Sequence, residues 1–419
     1  MDKKRKIITA LADLKQDIAG PIPVDLVSKW QKSGKTAHDQ REILAPLERH
    51  GYLVSTDSEG LSRLTAERDL LDVLNLVSIP KEILFDFGRR IGGRGTGIWA
   101  ADNSQMFYPA DQVAVELLLD RMAAAQKVIH RGTVQIGMAI HKGKFWEIGQ
   151  SMFGDEVDLV EAVAEDFTEG KEIVVSEILH RELPEKQRQW LSWREDLTDF
   201  SKKFYSLDYD DLGQDFHLFR FPDPAALGPD HFYPFAFSSD FFINLKRMGS
   251  SQQAREKLQS YFFNKAVLLV KVYHKKTRLL LDQLTDWVVV NAILNEIVVK
   301  YDVELIKSNG DLGIFVANDD KEAVELAEEI LSDIRKGTDQ VSIGLARGEV
   351  LLFNLDGGGR DIAGGAVNIA SKIAEDIPDR NSLYIDSSVS IPGHHLHKYE
   401  EYALEKSHVL LKGWKFKDK

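Results

Sequence analysis

Two short segments of the sequence determine the predicted fold: VQIGM at residues 134–138 and VSIGL at residues 341–345. Both place apolar residues around a glycine in the alternating pattern of a strand, and they begin 207 residues apart. An amphipathic helix pattern precedes each segment, over residues 109–130 and 319–335. The sequence therefore predicts an internal duplication in which each copy contains the same helix and strand in the same order.

The duplication extends on both sides of these segments. Three further pairs of segments match in the same order: residues 97–99 with 313–315, 154–159 with 364–369, and 172–176 with 382–386. The alternation of strands and helices predicts an α/β layered fold. Two fused copies predict an intramolecular pseudo-dimer, whose interface is free to differ from that of a homodimer.

The composition is that of an ordinary globular protein of two or three domains, with 419 residues, 43% apolar and 28% charged. The absence of cysteine excludes a disulfide framework, a zinc ribbon, an iron–sulfur cluster and a thiol nucleophile. The net charge of −13 disfavours a general nucleic-acid-binding surface. No apolar run approaches the roughly 18 residues of a membrane span, and the apolar stretch after the basic start is too short for export. We expect a cytoplasmic protein.

Four segments are distinguished by their patterns. Residues 1–45 predict a small helical module, residues 46–185 and 261–419 carry the two copies, and residues 186–260 fit neither copy. The stretch 204–242 holds 12 aromatic residues, which is typical of an ordered insert packed against a neighbouring domain. The alternative for this stretch is a surface that binds a protein partner or covers the domain interface.

The start of the chain also allows a winged-helix hypothesis. Helical patterns up to residue 45 are followed by residues 53–64, which suit either a strand and turn or the wing of such a domain. Residues 1–60 hold ten basic and nine acidic residues, so their charge does not favour DNA.

Four motifs of the second copy occur in an informative order: SNGD at residues 308–311, IGLARG at residues 343–348, DIAGGAVNIAS at residues 361–371 and KG at residues 412–413. Together they resemble the catalytic domain of the class III nucleotidyl cyclases, the adenylate and guanylate cyclase family, over nearly all of residues 264–419. The first copy resembles the family more weakly, over about residues 45–185. The resemblance implies two ferredoxin-like α/β domains, each a mostly antiparallel sheet with helices on one face, packed head to tail.

The resemblance also implies a set of site residues. In this family a ribose 3′-hydroxyl attacks the α-phosphate of the same nucleotide, divalent ions held by carboxylates assist it, and pyrophosphate leaves. One partner domain supplies the carboxylates and the other supplies the remaining groups. The implied roles are Asp57 and Asp311 for Mg²⁺ or Mn²⁺, Lys307 and Asp361 for the purine, Asn368 for the ribose, and Lys372 where the family has a transition-state arginine.

The same resemblance implies that both sites are degenerate. In one site, Gly95 aligns with the second metal carboxylate, and Lys372 lacks the planar fork of arginine. In the other site, Lys271 replaces the first metal carboxylate and is expected to pair with Asp311 instead. That site also loses its purine, ribose and phosphate groups, because the matching positions are Ser151, Asp158 and Ala162.

The leading hypothesis is a degenerate cyclase-like protein that binds an adenine nucleotide between its two domains and acts in signalling, with catalysis absent or weak. Lys307 and Asp361 resemble the adenine-reading pair of the family, whereas its guanine-reading type uses Glu and Cys. The first alternative is an active adenylate cyclase, in which Glu304 or Asp102 supplies the missing carboxylate. The second alternative is a winged-helix regulator that uses the cyclase-like domains only to dimerise.

The candidate residues also have purely structural interpretations. Asp57 and Asp311 suit turns, Asn368 suits a helix end, and Lys307 and Asp361 are able to pair only with each other.

A run of histidines near the end of the chain has two interpretations as well. His394, His395 and His397 offer the ligand type of a metal cluster. Adjacent side chains are expected to point in different directions, so the sequence favours a solvated loop.

Overall fold

The computed structural model describes the following parts of the chain: residues 22–97, 99, 103–149, 151–197, 200, 202–213, 239–248, 252–273, 279–309, 311–335, 340–354, 360–377, 379–406 and 409–417. The chain divides into two compact units. The first unit is Leu44–Arg255, and the second combines residues 22–43 with Glu256–Lys419. Each unit contains one sheet of eight strands.

Two helices come before the first strand: α1 (Val24–Lys32) and α2 (Ala37–Leu44). Trp30 on α1 is fully buried, and its Nε1 donates a hydrogen bond to Asp282 at 3.0 Å. The side chain of Gln40 on α2 accepts a hydrogen bond from the backbone N–H of Leu281 at 2.9 Å. Both helices therefore pack into the second unit.

The first unit begins with a long strand and has helices inserted between its strands. Its strands are β1 (Glu48–Glu59), β2 (Arg94–Gly95), β3 (Asn103–Pro109), β4 (Gln135–Ile148), β5 (Ser151–Phe153), β6 (Ile173–Ser176), β7 (Leu191–Trp193) and β8 (Phe204–Leu207). Its helices are α3 (Leu61–Glu67), α4 (Leu70–Arg89), α5 (Val115–Ile129), α6 (Asp155–Asp166), α7 (Glu177–Glu182), α8 (Glu185–Arg188), α9 (Ser239–Met248) and, at the boundary between the units, α10 (Gln252–Leu258).

The second unit repeats this arrangement. Its strands are β9 (Phe262–Tyr273), β10 (Val303–Asn309), β11 (Leu312–Ala317), β12 (Gln340–Asn354), β13 (Arg360–Gly364), β14 (Ser382–Asp386), β15 (Tyr399–Lys406) and β16 (Val409–Phe416). Its helices are α11 (Leu280–Val298), α12 (Asp320–Arg335) and α13 (Gly365–Ser371). In the parts of the chain described above, no helix has both the length and the apolar character that a membrane crossing requires.

The two sheets have the same topology. The strand order is β2-β3-β1-β4-β6-β8-β7 in the first unit and β10-β11-β9-β12-β14-β16-β15 in the second, with β5 and β13 paired to β4 and β12. Among the described strands, β4 with β6 and β12 with β14 are the parallel pairs, and the other pairs are antiparallel. The predicted duplication and the predicted α/β fold with mostly antiparallel sheets are therefore confirmed.

Helices cover both faces of each sheet, and the expectation of helices on one face is wrong. Alternate residues of a strand point to opposite faces. On β1, Val54 packs with α4 and α5, whereas Leu53 packs with α6. On β9, Leu268 packs with α11 and α12, whereas Val267 packs with α13. Because both faces of the central strands are apolar, each face needs its own cover.

The strand pairing shifts the alignment of the two copies by two residues. Met138 on β4 lies opposite Ile173 at the start of β6, and Ile343 on β12 lies opposite Leu383 on β14. Met138 therefore corresponds to Ile343, and the sequence match that pairs it with Leu345 is wrong. A shift of two residues leaves every side chain on the same face, so apolar alternation cannot reveal it.

The prediction that residues 186–260 fit neither copy does not hold for the beginning of this stretch. Strands β7 and β8 extend the first sheet beyond β6 in the same way that β15 and β16 extend the second beyond β14. Phe204 on β8, and Phe241 and Phe242 on α9, are buried within the first unit. Residues 214–238 lie outside the described residues, so a partner-binding role for the aromatic stretch stays a prediction.

A glycine with positive φ precedes the helix on the second face of each sheet. Gly154 has φ +125° before α6, and Gly364 has φ +149° before α13. A Cβ at Gly364 would lie 2.7 Å from the carbonyl oxygen of Glu349, so a side chain is excluded there by contact as well as by backbone conformation. These turns determine where each helix starts, and they confirm the predicted match of residues 154–159 with 364–369.

A buried ion pair attaches α9 to α4 in the first unit. Lys246 contacts Glu82, of which only 2% of the side chain is exposed, and Ser78 donates to the same carboxylate at 3.1 Å. Burial raises the pKa of Glu82 and lowers that of Lys246. We expect Lys246→Met to reduce the free energy of unfolding by about 3 kcal/mol, because it leaves a buried carboxylate without its cation. Urea-induced unfolding followed by circular dichroism measures the change.

The matched control is an exposed ion pair of the same unit. Arg255 lies 2.5 Å from Asp69, and more than 40% of each side chain is exposed. Arg255→Met should cost less than about 1 kcal/mol. Equal losses for the two variants would show that the Lys246 pair does not anchor α9.

Candidate functional site

Lys307 on β10 and Asp361 on β13 lie side by side in the second unit. The Nζ atom of Lys307 is 3.3 Å and 3.4 Å from the two carboxylate oxygens of Asp361. The backbone N–H of Ile362 also donates to this carboxylate at 2.9 Å and orients it. A β-bulge between Leu305 and Lys307 precedes the lysine, and bulges commonly re-aim the side chains next to them. The two residues that the sequence predicts as purine readers are thus in contact, with 12% and 8% of their side chains exposed.

Asn368 and Lys372 lie one turn apart at α13 and the π-helical turn that continues it. Residues four apart share one face of a helix. Asn368 is exposed, and the Nζ atom of Lys372 is 3.8 Å from the carboxylate of Asp376. Helix α13 packs in the same apolar cluster as Ile362, the neighbour of Asp361. The second unit therefore presents all four predicted nucleotide-binding residues from adjoining elements.

Lys271, near the end of β9, is paired with Asp311 as the sequence predicts. Its Nζ atom is 3.1 Å from Asp311 and 3.9 Å from Glu375. Burial by itself disfavours the ammonium, but the two carboxylates outweigh it and hold the pKa of Lys271 above its usual value. The ammonium thus stands beside Asp311, where the resemblance implies a metal ion. The assignment of Asp311 as a metal ligand stays a prediction, and it competes with this ion pair.

The equivalent strand position of the first unit carries the opposite charge. Asp57 on β1 lies opposite Gly137, and Lys271 lies opposite Ser342, which corresponds to Gly137 in the corrected alignment. Asp57 is therefore the counterpart of Lys271. Because β1 is paired on both sides, by β3 and β4, Asp57 is part of the central strand and does not belong to a wing or a turn.

Asp57 lines a small pocket of about 160 Å³ within the first unit. Carboxylate and amide side chains from β1, β3 and α6 line this pocket. We call it the acidic pocket and define it by Asp57, Asn103, Gln105, Glu161 and Glu165. Among the described residues that line it, three are acidic and none is basic. Carboxylate and amide oxygens are the ligands that Mg²⁺ and Mn²⁺ prefer. The residues present therefore fit the divalent ion that the sequence resemblance implies.

Negative charge is crowded around Glu161. Burial, followed by the neighbouring carboxylate of Asp158, raises the pKa of Glu161 to about 7, and a hydrogen bond of 2.8 Å from Gln105 opposes the rise. The Glu161 residue is nevertheless exposed to solvent, so water screens part of this effect. Burial and Asp155 also raise the pKa of Asp158. A cation in the acidic pocket would relieve this repulsion.

The alignment of Gly95 with the second metal carboxylate is wrong. On β3 the residue opposite Asp57 is Asn103, and on β11 the residue opposite Lys271 is Leu312. Asp311 immediately precedes Leu312, and the residue that immediately precedes Asn103 is Asp102. Gly95 instead lies on the edge strand β2, opposite Met106. Asp102 itself lies outside the described residues.

The other proposed substitute for the missing carboxylate has a different partner. Glu304 on β10 forms an ion pair with Arg360. It lies opposite Val316 on β11, away from the end of β11 that follows Asp311. The structure thus gives Glu304 a role in joining β10 to β13.

Sequence reasoning did not identify Glu161, Glu165 and Gln105. A signal for the two glutamates was present, because residues four apart on a helix share one face. Gln105 lies two residues from Asn103 on β3, so both face the same side of the sheet. Its contribution depends on the register of β3 with β1, which the sequence alignment did not identify.

The comparisons with known proteins concern the fold. No protein-family model matches the chain, and no curated protein is similar to it. A class III adenylyl cyclase-like ATP-binding protein from Pseudomonas aeruginosa has a TM-score of 0.46 at 11% identity, over 81% of this chain and 84% of that chain. The adenylyl cyclase CyaB from P. aeruginosa has a TM-score of 0.33 at 16% identity, over 40% of this chain and 98% of that chain.

A third solved structure covers a share of this chain similar to that covered by CyaB. An adenylate/guanylate cyclase/hydrolase from Silicibacter pomeroyi has a TM-score of 0.33 at 20% identity, over 39% of this chain and 98% of that chain. At these identities the likeness concerns the fold alone. The solved structures that match the chain include class III cyclases, the family that the sequence motifs resemble.

The raised pKa of Glu161 predicts a pH-dependent contribution to stability. Because the folded pKa of about 7 exceeds the ordinary value of 4.5, the neutral carboxyl stabilises the fold at low pH, and this contribution is lost as the pH rises through about 7. Relative to Glu161→Gln, the free energy of unfolding of the natural protein should fall between about pH 4.5 and pH 7. The fall should be below about 1 kcal/mol, because solvent reaches the side chain. Urea unfolding at a series of pH values measures it.

The control variant is Glu116→Gln, at an exposed position on α5. Its unfolding free energy should keep a constant difference from the natural protein across the same pH range. If the unfolding free energy of the natural protein, minus that of Glu161→Gln, increases with pH through this window, the assignment of a raised pKa is contradicted.

Proposed function

We propose that this protein binds a purine nucleotide, with adenine preferred, at the group formed by Lys307, Asp361, Asn368 and Lys372. The observation that carries the proposal is the contact between the Lys307 side chain on β10 and the Asp361 carboxylate on β13. A single cation and a single carboxylate held next to each other offer one donor and one acceptor, which is what the edge of adenine requires. Asn368 and Lys372 on the adjoining helix suit the ribose and the phosphates.

Base preference follows from hydrogen-bond polarity. An ammonium carries three protons and a carboxylate about four lone pairs, so their mutual contact does not by itself saturate either group. Lys307 would donate to a ring nitrogen, and Asp361 would accept from the exocyclic amine of adenine. Guanine has a carbonyl at that place, which would face the carboxylate with a lone pair. Such a mismatch costs about 1–3 kcal/mol, or roughly tenfold to a hundredfold in affinity.

The proposal includes a divalent ion, Mg²⁺ or Mn²⁺, bound in the acidic pocket. Asp57, Glu161 and Glu165 supply the carboxylates that would hold it. Such an ion would neutralise phosphate charge. The corresponding position of the second unit does not suit a metal, because the ammonium of Lys271 is already next to Asp311 and Glu375.

We propose further that the protein acts by binding the nucleotide in cytoplasmic signalling, with catalysis absent or weak. Two features support this role. Lys271 closes one metal position with an ion pair. Lys372 has a charge but not the bidentate fork with which arginine stabilises a transferring phosphoryl group.

Nucleotide binding is tested by displacement of a fluorescent ATP analogue from the full chain. We expect ATP to compete roughly tenfold to a hundredfold more effectively than GTP. Asp361→Asn should bring the two competitors close to equality, because a carboxamide both accepts and donates and so tolerates either base edge. Asp302→Asn, an exposed residue at the start of β10, is the matched control and should keep the preference for ATP.

Two outcomes would contradict the proposal in different ways. Equal competition by ATP and GTP in the natural protein removes the assignment of Lys307 and Asp361 as base readers. Absence of binding by either nucleotide supports the structural interpretation, in which the two side chains serve only each other.

A second candidate function is adenylate cyclase activity, with ATP converted to cyclic AMP and pyrophosphate. It is favoured by one observation: the strand register moves the second carboxylate position away from Gly95 and to the residue that precedes Asn103 in the chain. Catalysis was expected to be absent or weak partly because Gly95 stood at a metal-carboxylate position. The strand register and the acidic pocket together remove that reason, and the substitution by Lys271 remains.

Incubation with ATP and Mn²⁺, with mass-spectrometric detection of cyclic AMP, distinguishes the two candidates. If the leading proposal is correct, the natural protein and Asp57→Ala produce the same background amount. If the protein is a cyclase, production is abolished by Asp57→Ala and increased by Lys372→Arg, because arginine restores the planar fork. Glu116→Gln serves as the control that should change neither result.

A further inference from the structure

A cluster of metal-binding side chains lies in the second unit, on the outer helix α12 and the loop before β15. One carboxylate oxygen of Glu325 and one ring nitrogen each of His394 and His395 lie within 4.8 Å of one another. Three ligands at about 2.1 Å from a zinc ion are roughly 3.4 Å apart in a tetrahedron. Small rotamer adjustments therefore suffice to place all three atoms around one ion.

The loop brings two adjacent histidines together, contrary to the sequence expectation. The backbone N–H of His395 donates to the carbonyl of Pro392 at 2.8 Å, which closes a turn. The two rings meet edge to face, with their centroids 4.3 Å apart. Adjacent side chains diverge in an extended strand, but a turn allows them to converge. The expectation that the two side chains point in different directions is therefore wrong, whereas the exposure of His394 and His397 agrees with a solvated loop.

A second carboxylate orients one of the histidines. Nδ1 of His395 lies 2.8 Å from Glu328, one turn after Glu325 on the same helix. Glu328 is itself held by Lys398 Nζ at 2.6 Å and by the Tyr399 hydroxyl at 2.8 Å. Nδ1 of His395 is thus engaged, which leaves Nε2 as the nitrogen for an outside ligand. Histidines that bind metals typically have this hydrogen bond from the other ring nitrogen to a carboxylate.

We propose that Glu325, His394 and His395 bind a divalent transition-metal ion such as Zn²⁺, with Glu328 as a positioning residue. Two imidazoles and one carboxylate suit zinc, cobalt or nickel, whereas Mg²⁺ and Ca²⁺ prefer oxygen ligands alone. His394 is exposed, so an ion can reach the site from solvent. Bound metal would tie the loop to α12 and stabilise the second unit. This site is independent of the proposed nucleotide function.

The test uses the full chain after removal of metal with a chelator, with Zn²⁺ alone as the probe in isothermal titration calorimetry. We expect one binding event that weakens at least tenfold in His394→Ala and in His395→Ala, since each loses a ligand. Glu328→Gln should weaken it roughly tenfold to a hundredfold while keeping all ligands. Lys398→Met breaks the same ion pair but keeps the Glu328 carboxylate on His395, so it should lower the Tm without weakening zinc binding as much as Glu328→Gln does.

Two controls separate this site from other zinc binding. His397→Ala removes a histidine from the same loop that is outside the cluster, and it should leave the affinity unchanged. Asp57→Ala removes a carboxylate from the acidic pocket and should leave this binding event in place. Co²⁺ in place of Zn²⁺ should give the visible absorption of a tetrahedral site, lost in His394→Ala.

The exposed position of His394 keeps the proposal testable even if His395→Ala fails to fold. Identical titrations of the natural protein and His394→Ala would overturn the proposal. So would an equal loss of affinity in His397→Ala, because it would show binding to loop histidines in general.

Discussion

The charge at one position of the central strand, Asp57 in the first unit and Lys271 in the second, separates two otherwise similar folds. Strand pairing fixes both residues at the same place in their sheets. An aspartate there faces other carboxylates and leaves a pocket that suits a cation. A lysine there supplies the cation from the protein itself and joins Asp311 and Glu375. The chemistry available to each unit follows from this single exchange of charge.

The two units also differ at the other predicted site positions, where the second unit has the nucleotide-binding groups and the first does not. The second unit has Lys307, Asp361, Asn368 and Lys372, the groups suited to a base, a ribose and phosphates. The corresponding glycine-initiated helix of the first unit carries acidic residues, and Ser151 stands where the second unit has Asp361. The first copy has therefore kept the metal-carboxylate position at Asp57, and the second has kept the base, ribose and phosphate positions that the family resemblance implies. Duplication permits this, because neither copy alone must retain every group.

Much of the fold, but less of the site, could be predicted from the sequence. The repeated helix and strand patterns and the paired glycines were sufficient for the duplication and the α/β class. The register was not, because a shift of two residues preserves the facing of every side chain. Gly95 was misplaced for a different reason, because the match of residues 97–99 with 313–315 is also wrong. Pairing makes β3, which begins at Asn103, the counterpart of β11, whereas Gly95 lies on the edge strand β2. Strands β7 and β8 were missed because three or four residues show too little alternation to be recognised.

The nucleotide-binding residues that the sequence identified lie in or beside short continuous motifs of the second copy. Asp361 and Asn368 lie in one continuous segment, and the side chain of Lys307 reaches Asp361 from β10, a strand that is not paired with β13. The acidic pocket and the histidine cluster instead join side chains that are distant in sequence or turned by an irregular loop. In both places the charge or ligand type was visible in the sequence, but convergence was not. In the acidic pocket, burial first and then the neighbouring carboxylate of Asp158 on the same helix raise the pKa of Glu161. None of the described residues that line the acidic pocket is basic, whereas in the second unit the ammonium of Lys271 lies between Asp311 and Glu375 and offsets their negative charge.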